Sequence, residues 1–310
     1  MYTNQAATES TMGLSTVTMA LNSTQPQRST DYHIALVAIY SVVLLCGTAS
    51  LSLMIHAMKY SPISTTSVAV LNLIFAHFIF LFTVPFRIYY YAVETWYLSS
   101  HWCRMVSAMI HMHMYMSLIL YVIILLSRLL TFYNRNAQVS SFKRIHAVIG
   151  SVVVWIVVLV SVPCGILYSY GKGGKDSDGS MLPDSNTSCF KFGRHMENFK
   201  VINYTLSSLV IIVALLLTTL QANVLRVLYR KYQKKCSSQQ DFGAQLKSFF
   251  FALIMVVCFV PYHIFRMYYL EHIDMEDINE VLLSLTTFNC LDMLTFLGRR
   301  TCYLFSPRRT

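Results

Sequence analysis

The sequence predicts an all-α membrane protein, a seven-transmembrane helix bundle with a short cytoplasmic amphipathic helix at its end. Three observations predict it: a composition too apolar for water, seven long stretches nearly free of formal charge, and a lopsided distribution of charge between them. Of the 310 residues, 55% are hydrophobic and only 12% are charged. A water-soluble domain of that composition would expose much of its apolar surface, so the solvent it fits is lipid.

The elements follow in order. Residues 1–33 are rich in Ser and Thr and carry no hydrophobic period, the pattern of a disordered extracellular tail. The helical membrane domain occupies 34–298. A hydrocarbon core of about 30 Å takes roughly twenty apolar residues of helix. The stretches 34–55, 68–86, 105–127, 147–170, 201–223 and 248–265 contain no Asp, Glu, Lys or Arg. A seventh, 281–297, is interrupted only by Asp292, and a lone acid is tolerated in a bundle when it faces inward. Residues 299–310 form a short basic amphipathic segment and tail suited to the inner leaflet. No charged and apolar leader opens the chain, so the first span is expected to act as its own export signal.

Orientation comes from the charges. Fifteen of the 24 Lys and Arg residues fall on one side of the spans, among them Arg128, Arg230, Lys231, Lys234, Lys235 and Arg299. Twelve of the 14 acids fall on the other side, with Asp241 and Asp292 as the exceptions. Excess Lys and Arg marks the cytoplasmic face, which puts the N-terminus outside and makes the net charge of +10 a topology signal. It does not point to nucleic acid. Glycosylation patterns at Asn22 and Asn186 fall on the side assigned to the exterior. A third, at Asn203, sits at the mouth of the fifth span and reads as accidental. Of the eight cysteines, Cys46, Cys164, Cys258 and Cys290 lie within spans, and Cys236 and Cys302 lie on the reducing side. Cys103 and Cys189 are the pair left outside, and a bridge between them is expected.

Several side chains carry the chemistry. From Cys103 to Arg128 is about 37 Å of helix at 1.5 Å per residue, so one helix holds a tether at its top and a charge at its foot. His263 and Arg266 share a helical face, as do His111 and Tyr115, whereas His113 points nearly the opposite way from His111. Arg87 stands about 15 Å above His77 along its helix. The outer cavity therefore offers Arg87, His111, His263 and Arg266 with Tyr115 and Tyr262 as walls, a set suited to a carboxylate or phosphate. The acids Glu271, Asp274, Glu276, Asp277 and Glu280 crowd the adjoining loop and are placed to neutralise Arg266. His77 and Asp292 are the ionisable groups nearest mid-membrane and are expected to meet. His111 and His113 lie on different faces with no Glu beside them, so no metal site of the H-E-x-x-H type is present. Charged residues strung through several helices, the mark of a transporter or channel, are absent from the sequence.

The chain resembles the rhodopsin-like family of receptors, in its purinergic-like branch, and several motifs carry the resemblance. Cys103 opens the third helix, and Ser127-Arg128-Leu129 stands where the family has Asp-Arg-Tyr. Asn72-Leu73-x-x-Ala76-His77 resembles the second-helix signature with His in place of Asp. Trp96 and Trp155 match family positions, and Cys258-Phe259-Val260-Pro261-Tyr262-His263 with Arg266 resembles the sixth helix of the branch. Asp292-Met293-Leu294-Thr295-Phe296 replaces Asn/Asp-Pro-x-x-Tyr. The resemblance implies a receptor without cofactor or enzymatic chemistry, passing a signal from an extracellular ligand to a heterotrimeric G protein at the basic inner loops. Pro261 is then the expected hinge of the sixth helix, because proline deletes a backbone donor and kinks the helix. Asp241, about 30 Å below it, is expected to pair with Arg128 at rest. In the family the region of His77 often holds sodium. His in place of the acid argues against that hard cation and for a His77–Asp292 contact sensitive to pH.

Overall fold

Each charge-free stretch becomes a helix, and the buried side of each can be read from its spacing. The structure is a computed structural model that describes residues 6–58, 65–133, 140–171, 189–190, 200–232 and 239–294. Within these, the side chains of 6–30, 57, 65–66, 140–147, 165–171, 231–232, 239–241, 244 and 293 lie outside the description. The helices are α1 (Ala6–Met58), α2 (Thr65–Val93), α3 (Ser100–Tyr133), α4 (Ser140–Gly171), α5 (Lys200–Tyr232), α6 (Gln239–Tyr269) and α7 (Glu276–Leu285). Five contain segments long and apolar enough to cross a membrane, and α4 adds the shorter apolar run Val148–Cys164.

On α1, Leu36, Tyr40, Val43, Leu51 and Met54 are buried while Leu45 and Leu53 are exposed, one helical stripe facing the bundle and its opposite facing lipid. The same division puts Leu71, Phe75, Phe78 and Phe82 of α2 outward and Leu73, Phe80 and Val84 inward. Exposed apolar side chains in such numbers would be an aggregation hazard in water and are an ordinary surface in lipid. Helix α3 packs on α2, α4, α5 and α6. Its inward residues include Ile110, Met114, Ser117, Tyr121 and Leu125. Helix α1 comes close to α2 at Gly47, where an added Cβ would stand 2.9 Å from a terminal carbon of Leu81.

Two expectations are corrected, and three lie beyond the described residues. Helix α1 begins at Ala6, so helical backbone runs through most of the segment expected to be a structureless tail. Extending a nucleated helix fixes one residue per hydrogen bond and needs no amphipathic period. The seventh span is not one α-helix. Helix α7 gives way at Thr286 to a 3-10 helix that runs to Met293. The amphipathic segment 299–310 and the glycosylation site Asn186 lie outside the described residues, and the side chain of Asn22 does as well.

The 3-10 winding has a local cause. Ser284, Thr286 and Thr287 turn their hydroxyls back onto the carbonyls of Val281, Leu283 and Ser284, each at 2.6 Å and three residues earlier. Such bonds compete with the α-helical ladder. Backbone acceptors further along are met from other helices: Tyr121 Oη lies 3.3 Å from the Asn289 carbonyl, and Ser50 Oγ donates to the Cys290 carbonyl at 3.2 Å. In lipid, irregular backbone persists only where protein supplies such partners.

The bridge between Cys103 and Cys189 is formed and pins the loop before α5 to the head of α3. It also holds Phe190, whose φ of 70° lies in the left-handed region that bulky side chains avoid. The ring is clasped by Tyr90, Tyr91 and Trp96, contacts that offset a backbone cost of about 1–3 kcal/mol. Replacing Cys103 with Ser should lower stability by on the order of 2–5 kcal/mol. The loss is expected as reduced surface expression and a lower Tm of the purified protein, and an unchanged Tm would contradict a structural role for the bridge.

Candidate functional site

Two polar clusters sit inside the bundle. The first lies near the disulfide end, where α1, α2, α3 and α7 converge on Arg87. Its guanidinium is 1% exposed and donates to Glu280 at 2.8 Å, to the Tyr40 hydroxyl at 3.1 Å and to the Val106 carbonyl at 3.4 Å. Tyr91 donates to the same Glu280 oxygen at 2.7 Å. The ring of Phe190 covers the cation at 4.3 Å. Arg87 was expected to be open to a ligand, and the structure corrects this: Glu280 answers its charge. Of the loop acids placed to neutralise Arg266, Glu280 pairs with Arg87, because it lies on the inward face of α7.

His111 stands within electrostatic range of Arg266, Arg87 and His263, and Tyr115 within range of Tyr262 and Arg266. His263 is buried, its Nδ1 is 3.2 Å from the Ser207 hydroxyl, and its Nε2 has no partner among the described residues. Arg266 reaches Asn203 Oδ1 at 3.5 Å and stands over the Tyr269 ring. Glu271 closes the rim, accepting from Lys200 at 2.8 Å and from Tyr204 at 2.7 Å.

These two bonds, that from Lys200 first, hold the Glu271 carboxyl below its ordinary value of 4.5. A depressed value means the contact is fully present above the ordinary pKa and is lost as pH falls through the folded-state value.

The second cluster lies deeper. His77 Nε2 is 3.2 Å from Asp292 Oδ1, so the expected contact is made. Tyr121 donates to the other oxygen of Asp292. Two residues unassigned by sequence join it. His113 Nε2 is 2.8 Å from His77 Nδ1, and Cys290 Sγ is 3.6 Å from each of those nitrogens. His113 faces away from His111, as its spacing implied, and that face looks onto α2. Cys290 read as one more apolar cysteine of a span, and only the 3-10 winding turns it toward the histidines. Ser117 Oγ and both side-chain polar atoms of Asn289 are buried without a hydrogen-bond partner among the described residues.

At the far end of α3, Arg128 is half-buried and makes no ion pair among the described residues; Ser127, in the place of the usual acid, bonds the Ile124 carbonyl at 2.8 Å. The backbone of Asp241 is helical, but its side chain lies outside the description, and so does its expected pairing with Arg128. Pro261 is within α6. Two residues of the motifs prove structural: Trp155 Nε1 donates to Asn72 Oδ1 at 2.9 Å, joining α4 to α2.

Seven helices around two buried polar clusters, with a disulfide from the head of the third to the loop before the fifth, define a class of membrane receptor. The chain belongs to the 7 transmembrane receptor (rhodopsin family), whose model matches residues 48–295. Among individual proteins it is similar to the human (Homo sapiens) probable G-protein coupled receptor 141, 35% identical over 272 residues, which covers 84% of this chain and 87% of that one. It is also similar to probable G-protein coupled receptor 34 of Mus musculus, 27% identical with 84% and 72% covered. The 2-oxoglutarate receptor 1 of Rattus norvegicus is 25% identical, with 75% and 68% covered. The chain is accordingly a G-protein-coupled receptor, a multi-pass membrane protein and not an enzyme.

Two outcomes test this geometry. Replacing Glu280 with Gln leaves the Arg87 charge buried without its counter-ion and should cost about 3–5 kcal/mol. The double variant Arg87→Met with Glu280→Met should recover most of the lost Tm, and failure to recover it would show that the pair is not the source of the loss. At the rim, the Tm difference between wild type and Glu271→Gln should be constant from neutral pH down to the ordinary carboxylate value of 4.5 and vanish below it. A difference that persists in stronger acid would mean that ionisation is not what holds the contact.

Proposed function

We propose that this receptor sits in the plasma membrane with its N-terminus outside and passes an anionic or lipid-like extracellular signal to a heterotrimeric G protein. The observation that carries the reading is that His111 lies within electrostatic range of His263 and Arg266, with the buried His263 Nε2 unanswered among the described residues. A carboxylate or phosphate offers the negative charge and the acceptors that suit two imidazoles and a guanidinium. Tyr115 and Tyr262 flank the cavity, and Arg87 with Glu280 anchors its floor as a neutral unit. One relative's name specifies 2-oxoglutarate, a dicarboxylate, which agrees with an anionic ligand here.

On the inner side, Arg128 and the basic segment after α5 meet the G protein, and Pro261 is the pivot of α6. His77 and Asp292 join α2 to α7 across the bundle and belong to the switch. Asn22 and Asn186 carry sugar outside.

A second reading, weak or constitutive coupling, is favoured by Ser127 in place of the acid that would hold Arg128. One experiment separates the two. G-protein dissociation is measured across a panel of G proteins, first on the unliganded protein and then with a library of carboxylates and acidic lipids, using Arg128→Ala as the control. Ligand-dependent dissociation that Arg266→Gln weakens about tenfold or more is expected, since a hydrogen bond to a charged group contributes about 1.5–3 kcal/mol. Basal dissociation lost in Arg128→Ala but unaffected by any ligand would favour the second reading. No dissociation in any arm would overturn coupling altogether.

A further inference from the structure

The deeper cluster joins three helices through four groups, and its donor atoms are of a particular kind. His77 Nδ1 on α2, His113 Nε2 on α3 and Cys290 Sγ in the 3-10 end of the seventh span converge, and all three residues are buried. Two imidazole nitrogens and one sulfur are the donor set of zinc, a cation of borderline softness; sodium, magnesium and calcium prefer oxygen. We propose that His77, His113 and Cys290 bind one Zn²⁺ ion inside the bundle, with Asp292 as the positioning residue behind His77.

The distances favour this reading over a chance assembly. With Zn–N near 2.0–2.1 Å and Zn–S near 2.3 Å, a tetrahedral ion sets its nitrogen and sulfur ligands about 3.6 Å apart. Both sulfur–nitrogen distances are 3.6 Å. The two nitrogens are 2.8 Å apart, a hydrogen-bond separation, and part by roughly half an ångström when a cation takes the place of the proton they share. Asp292 Oδ1 accepts from His77 Nε2–H at 3.2 Å, which leaves the lone pair of Nδ1 directed at the ion. A carboxylate behind a ligating histidine is the usual means of fixing its tautomer and raising its basicity.

Charge and hydration agree. Binding displaces the thiol proton of Cys290, which leaves to solvent, and the proton shared by the two nitrogens passes to Nδ1 of His113 as that ring changes tautomer, so the site gains Zn²⁺ and a thiolate. With the Asp292 carboxylate the sum is zero, the condition an apolar bundle imposes on buried charge. Three protein ligands leave a fourth position for water. Ser117 lies one turn below His113 on α3, and Asn289 adjoins Cys290; their buried polar atoms, unpartnered among the described residues, are the groups such a water would bond.

The test uses the full-length receptor in lipid nanodiscs, stripped with a chelator and titrated separately with Zn²⁺ and with Co²⁺ as a spectroscopic stand-in. Wild type should bind one equivalent, gain Tm in zinc, and show a thiolate-to-cobalt charge-transfer band that excess sodium does not displace. Cys290→Ser should lose that band, and His113→Gln should bind at least tenfold more weakly. Asp292→Asn should keep the band while weakening binding about 10–100-fold, the signature of a group acting through a ligand. Cys46→Ser, at an exposed thiol on α1, should behave as wild type. Because the wild-type spectrum needs no variant to fold, the absence of a charge-transfer band in it overturns the proposal. So does equal zinc binding by wild type and Cys290→Ser, which would locate the metal on surface histidines.

Discussion

A charge carried into an apolar bundle has to be answered inside the bundle, and this constraint organises the molecule. Lipid offers no water to the backbone or to buried side chains, so a buried ionised group is stable where another helix supplies its counterpart. Arg87 on α2 meets Glu280 on α7, and His77 on α2 meets Asp292 in the 3-10 end of the same span. Both pairs tie the same two chain segments, one near the disulfide end and one deep in the membrane. The seventh span is thereby held to α2 at two levels, with Tyr91, Tyr40 and Tyr121 supplying the remaining hydrogen bonds.

The seventh span meets this demand by leaving α-helical geometry. A regular helix would advance its side chains by a constant angle, and the hydroxyls of Ser284, Thr286 and Thr287 tighten that advance by bonding three residues back. The tighter winding carries Asn289, Cys290 and Asp292 onto the inner surface together, where all three are buried. Short 3-10 stretches inside longer helices are places where packing energy holds a conformation that the backbone alone would not choose. Here that energy comes from α1 and α3, through Ser50 and Tyr121.

Departures from the family pattern gain a physical account in this setting. His in place of the second-helix acid exchanges an oxygen donor for nitrogen, and the neighbouring His113 and Cys290 continue the exchange. Ser127 in place of an acid bonds the Ile124 carbonyl and leaves Arg128 without an ion pair among the described residues. The aromatic cap of Phe190 over Arg87 depends on the disulfide at the preceding residue, so a covalent tether in the loop controls how a buried cation is enclosed.

By itself the sequence determined the spans, the bridge between Cys103 and Cys189 and the contact of His77 with Asp292. Each follows from one-dimensional facts: runs without charge, the side on which a cysteine falls, and the scarcity of ionisable groups at mid-membrane. Tertiary structure alone decided which acid would take Arg87, since Glu271 and Glu280 are nine residues apart in one acidic stretch, yet Glu271 is exposed in the turn after α6 and Glu280 is buried on the inward face of α7. It alone brought His113 and Cys290 to His77, because that meeting needs the relative rotation of three helices and a change of winding in one of them. Spacing along a chain reveals which residues share a face, but the faces that meet are chosen by packing.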